Sequence, residues 1–129
     1  DPNYKTYPSL AQRFYELASE GQFRNATQVC QQAIRANTHY IREAEFNNAG
    51  YALMRSGRNA ASEAAMKVNV QHFPNSWNAW DSYADALAAT GKTQQAIEAY
   101  AHSIRLNPKN AAGQKRIQEL RDRQREEGR

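Results

Sequence analysis

No apolar run in this 129-residue chain approaches the roughly twenty residues of a membrane-spanning helix, so no transmembrane segment is expected. A single cysteine, Cys30, excludes an internal disulfide and leaves the redox compartment open. Its bland role, a small buried hydrophobe, outweighs that of a reactive thiol. Nucleophile motifs are absent too: there is no G-x-S-x-G elbow and no S-x-x-K. The three histidines, His39, His72 and His102, form no i,i+4 pair and accompany no carboxylate motif, so neither metal nor cofactor is expected. Gly91-Lys92-Thr93 matches the tail of a phosphate-binding loop, but the earlier glycine that loop needs is Ala86 here. A helical pattern rather than a strand leads into it, so it reads as a turn between helices. Catalysis has nothing to rest on, and a non-enzymatic protein is expected.

What is present suits a folded chain. Apolar residues make up 40% and charged residues 23%, a balance expected of one folded domain rather than of disorder. The mean hydropathy of −0.93 is low for a compact globule and fits an elongated stack of helices, each keeping a wide solvent face. The chain opens on Asp1 rather than methionine, which reads as a mature product or a domain excised from a longer parent. A net charge of +4 raises the question of nucleic acid. Much of the excess lies near the end, where Lys115, Arg116, Arg121, Arg123, Arg125 and Arg129 alternate with Glu119, Asp122, Glu126 and Glu127. Mixed signs at helical spacing describe a solvated helix, and no nucleic-acid partner is expected.

The best-defined stretch is Trp77 to Asn110. Trp80, Tyr83, Ala84 and Leu87 recur at i, i+3, i+4 and i+7 and share one helix face. Thr90-Gly91 breaks that helix, and a second pattern through Ala96, Tyr100 and Ile104 ends at Asn107-Pro108. The preceding unit has the same layout, with Phe46, Ala49, Gly50 and Leu53, the turn glycine Gly57, then Met66 and Pro74. The interval from Gly57 to Gly91 equals that from Pro74 to Pro108, so the two units are in register. A small residue at Gly50 and Ala84 implies close approach of the paired helices there. Ser62, where the later unit has Ala96, is read as a trivial change.

The first unit is looser. Leu10, Phe14 and Leu17 precede Gly21, and Phe23, Ala26, Cys30, Ala33 and Ile34 form the partner stripe, while Asp1 to Tyr7 is an aperiodic lead-in. The interval from Gly21 to Gly57 is longer by two than that from Gly57 to Gly91, so two extra residues are expected near Thr38 to Arg42. Beyond Asn110 only Ile117 and Leu120 are large and apolar, which predicts a thin-striped helix closing the end of the stack.

The order W-x2-Y-A-x2-L, then A-x3-Y, then P resembles the tetratricopeptide repeat, whose period matches the interval between the turn glycines Gly57 and Gly91. Tyr83 stands for leucine, Ala84 for glycine and Leu87 for tyrosine. The resemblance implies an all-α solenoid: repeats at about 7–40, 43–76 and 77–110 and a capping helix at about 111–126. In repeat 1, Arg13, Phe14 and Thr38 depart from the pattern, and Cys30 replaces a bulky aromatic.

A narrower resemblance covers roughly residues 46 to 120. Asn69, Val70, Phe73, Pro74, Asn75, Ser76, Asn78, Ala79, Asp81 and Ser82 are similar to a run found in the tetratricopeptide module behind bacterial serine-hydrolase domains of esterase and β-lactamase type. It implies an accessory domain that docks onto a hydrolase of the same parent, with a free-standing adaptor as the alternative; no catalytic residue is carried across. Asn69 is expected to face the next repeat and to bond Asp81 or Ser82, fixing the stacking register.

In this repeat family the first helix of each pair lines a concave inner face. The resemblance assigns that face to Ala11 and Tyr15, then Asn47, Asn48, Tyr51 and Arg55, then Asn78, Asp81 and Asp85. Tyrosine and asparagine suit a protein or peptide partner. The family's clamp for the acidic C-terminus of heat-shock chaperones needs lysine, asparagine, asparagine, lysine and arginine. Those places hold Ala11, Tyr15, Asn48, Asn78 and Ser82, so only Asn48 agrees and that ligand is not expected. Trp80 is expected in the core against Ala96 and Tyr100.

Overall fold

The computed structural model describes residues 9–36 and 41–128. Among them are seven helices and no strand: α1 (Leu10–Ser19), α2 (Phe23–Ala36), α3 (Glu43–Arg55), α4 (Asn59–His72), α5 (Trp77–Ala89), α6 (Thr93–Leu106) and α7 (Ala111–Glu127). The chain is an all-α solenoid in which α1/α2, α3/α4 and α5/α6 pack as pairs and α7 covers α6. The lead-in Asp1 to Tyr7 and the insertion site around Thr38 lie outside the described residues, apart from Ile41 and Arg42 at the foot of α3.

Local chemistry sets the boundaries. Ser9, Ser76 and Asn110 each cap a helix, their side-chain oxygens accepting from the amides of Gln12, Ala79 and Gly113 at 3.0, 3.1 and 3.0 Å. The first helix of every pair stops at a glycine in the left-handed region, with φ of 82° at Gly21 and 81° at Gly57 and Gly91. The amide one residue on then reaches back to the last turn: Gln22 to the Leu17 carbonyl, Arg58 to Leu53 and Lys92 to Leu87, at 2.8, 2.8 and 2.9 Å. That closure favours a residue without a β-carbon at the turn, which is why the three glycines punctuate the chain.

The buried apolar side chains form two groups. One joins Leu10, Phe14, Leu17, Cys30, Phe46 and Leu53 across α1 to α4; the other joins Leu87, Ile97, Tyr100, Ile117 and Leu120 across α5 to α7. Between them, Ser62, Met66, Asn69, Ala79, Ser82 and Ala86 are also buried. Burial pushes the Cys30 thiol up to about 12, the behaviour of an inert core group.

Several expectations need correction. Phe23 is 38% exposed, because it starts α2 before the helix meets its partner. Trp80 is half-buried at the edge of the second apolar group, its indole nitrogen donating to the Pro74 carbonyl at 2.8 Å and its ring 4.2 Å from His102. A polar ring atom holds that edge at the surface. Ala11 is 2% exposed and is core rather than inner face. Ser62 is not a trivial change: it is fully buried and donates to the Gly50 carbonyl at 2.6 Å. Asn69 bonds neither Asp81 nor Ser82; its amide donates to the Glu43 carbonyl at 3.0 Å, inside its own repeat.

Candidate ligand-binding face

The first helices form one continuous surface. α1 packs on α3 and α3 on α5, whereas the second helices α2, α4 and α6 barely meet, so the row of first helices is the tighter, inner side of the stack. Of the residues expected on it, Tyr15, Asn48, Arg55 and Asn78 are exposed. Asn47, Tyr51, Asp81 and Asp85 are half-buried. The Asn47 side-chain oxygen is shielded and accepts no hydrogen bond from the described residues.

Tyr51, Asp81 and Asp85 are brought together, and Tyr15, Arg55 and Asn78 stand apart from that group. The Tyr51 hydroxyl on α3 donates to Asp85 on α5 at 2.5 Å and lies 3.2 Å from the Ser82 hydroxyl. Tyr100 on α6 donates a further hydrogen bond to the other oxygen of Asp85. Burial, and then the bond to Asp85, push both phenols above their ordinary range, so they act as neutral donors. One helical turn away, Asp81 accepts from the Asn110 amide at 3.0 Å, and that same amide donates to Ser103 at 3.0 Å.

Arg116 joins the two carboxylates. Its Nη1 lies 3.0 Å from Asp85 and 3.3 Å from Asp81, and its guanidinium stands 5.8 Å from the centre of the Tyr100 ring. Burial works against the guanidinium's charge, but Asp85, Tyr100 and Asp81 outweigh it and hold its affinity for the proton above the usual value. Two carboxylates, two phenols, one amide and one guanidinium thus bind four helices into one polar frame.

Sequence reasoning does not place Arg116 or Tyr100 here. The signal is present, since Arg116 follows Ser82 by the same interval that separates Gly57 from Gly91, but the expected inner face stops at the third repeat. Tyr100 sits on a second helix, where only its ring has an expected role.

A family model for the tetratricopeptide repeat matches residues 77–120. Those residues are similar to a tetratricopeptide repeat. Most of the chain shares the fold of such domains: the solution structure of the second tetratricopeptide domain of human RPAP3, bound to the HSP70 peptide SGPTIEEVD, aligns with a TM-score of 0.61. That likeness covers 88% of this chain and 92% of the other at 17% identity. No curated protein matches the sequence. The tetratricopeptide frame explains why α7, which begins one full repeat after the start of α5, presents Arg116 on the inner side as a first helix would. Among the described residues, no helix is long and apolar enough to cross a membrane, and no three His, Cys, Asp or Glu side chains cluster as metal ligands.

Proposed function

We propose that this chain is a non-catalytic module that binds an extended peptide or protein segment along its inner face. The observation that carries it is a division of labour among inner-face side chains. Tyr51, Asp81 and Asp85 are tied into a fixed frame, while Tyr15, Asn48, Arg55 and Asn78 are left exposed on the same surface. Free carboxamides can bond an extended backbone, and a free tyrosine and arginine can grip side chains.

This reading excludes an acidic chaperone C-terminus, and with it an acidic peptide such as the SGPTIEEVD of the RPAP3 complex. Two places of that clamp, Ala11 and Ser82, are buried, and the frame nearby carries two carboxylates against one guanidinium. A peptide carboxylate there meets a net negative charge. Docking onto a serine-hydrolase domain of the same parent is the narrower form of this reading and rests on the run from Asn69 to Ser82 alone. Four residues of that run already serve the repeat: Asn69 bonds Glu43, Ser76 caps α5, Ser82 meets Tyr51 and Asp81 meets Arg116.

The test is selection of binders from a random peptide library, followed by titration of Asn48→Ala/Arg55→Ala/Asn78→Ala. Affinity should fall at least about tenfold, as central contacts do, with the melting temperature unchanged. Undiminished binding by that variant sinks the reading.

A further inference from the structure

We propose that α7 is a displaceable lid on the end of the third repeat, seated on α6, hinged at Asn110 and latched by Arg116 to the inner-face carboxylates of α5. The inference deepens the peptide-binding reading by giving that face a closed and an open state, and its core test needs no ligand. Three observations carry it. First, α7 is weakly bedded: over its length from Ala111 to Glu127 only Gly113, Ile117 and Leu120 are buried, and its packing is on α6. α5 and α6 each bury five residues over shorter spans, so the hydrophobic hold on α7 is the thinnest of the last three helices.

Second, its ties to α5 are polar side chains. Asn110, capping the N-terminus, bonds Asp81, and Arg116, two turns on, bonds Asp81 and Asp85. Asn110 is 7% exposed and also grips Ser103, which makes it the fixed end. The Arg116 side chain is 41% exposed, so solvent and salt reach the other tie. Third, the latch lies on the surface it would close. Arg116 stands over the Tyr100 ring and between the carboxylates that, with Tyr51, form the frame. Released, α7 swings about Asn110, and the carboxylate oxygens of Asp81 and Asp85 that Arg116 held become available to a partner, while Asn110, Tyr51 and Tyr100 keep their own bonds to them.

Residue-resolved hydrogen exchange of the full chain tests this. Arg116→Met keeps the aliphatic stem and removes the charge. Exchange in α7 beyond its first turn should quicken at least about tenfold, while α1 to α5 keep their protection, as an independent opening unit would. In the unaltered chain, about 0.5 M salt should quicken the same amides, and in Arg116→Met salt should add little. Arg116→Lys, which keeps a cation, should restore most of the protection. Unchanged α7 exchange in Arg116→Met, or equal quickening in every helix, overturns the lid. The failure is distinct from that of the peptide-binding reading, because a latched lid can exist on a face that binds nothing and a binding face can exist without a lid.

Discussion

The first repeat and the two that follow solve one packing problem in opposite ways. Seven residues before each turn glycine stand Phe14, Gly50 and Ala84; nine residues after it stand Cys30, Met66 and Tyr100. All six are buried. In repeats 2 and 3 the first helix is small and the second supplies the bulk, whereas in repeat 1 the bulk is Phe14 and the small residue is Cys30. The interior requires that the space be filled and does not prescribe the helix that fills it. Repeat 1 therefore exchanges the sizes that repeats 2 and 3 have at these two positions, both within one apolar group.

The same lesson recurs at the two polar junctions. Where repeat 3 meets α7, Ser103 donates to the Trp77 carbonyl and Asn110 supplies the amide. Where repeat 2 meets repeat 3, Asn69 takes the place of Ser103 and donates to Glu43, and the cap is the shorter Ser76. The amide has moved from the cap to the second helix. Gly113 makes the first arrangement possible, since a β-carbon there would lie 2.7 Å from the Asn110 amide nitrogen; its counterpart beside the short cap is Ala79.

The comparison can be broken most severely at Phe14. Phe14→Ala should cost about 3–5 kcal/mol, as large-to-small core changes do, read by denaturant unfolding. Adding Cys30→Met, the residue of repeat 2, should recover part of the loss, and recovery of nothing would show the two positions do not share one space. Next comes Gly50→Ala. The new methyl would sit 2.5 Å from the Met66 methyl, and overpacking of this kind costs about 1–3 kcal/mol. In a Met66→Ala background most of that penalty should vanish, a coupling that a double-mutant cycle reads directly. The smallest effect sharpens the junction comparison. Gly113→Ala should destabilise by about 1 kcal/mol despite alanine's better helix propensity, because Asn110 must release Asp81 or Ser103. Ala79→Gly should cost about 2 kcal/mol, the propensity term plus the loss of one buried methyl. A stabilising Gly113→Ala, seen as a raised melting temperature, would refute the Asn110–Gly113 fit.

Much of this was legible from the residues in order. The turn glycines, the spacing between Gly57 and Gly91, the stripe of Ala96 and Tyr100 and the thin stripe of Ile117 and Leu120 are local signals, set by helix periodicity and by the conformations a side chain permits. They determine that the chain forms paired helices in a stack closed by one more. Which side chain meets which across helices is not local. Tyr51, Asp85, Tyr100 and Arg116 come from four helices, and Asn69 chose a carbonyl in its own repeat over the next repeat's side chains. Hydrogen bonds are short-ranged and directional, so small shifts in helix packing decide them, and a linear sequence does not record those shifts. Tertiary structure alone therefore decided which inner-face residues are fixed in the frame and which stay free.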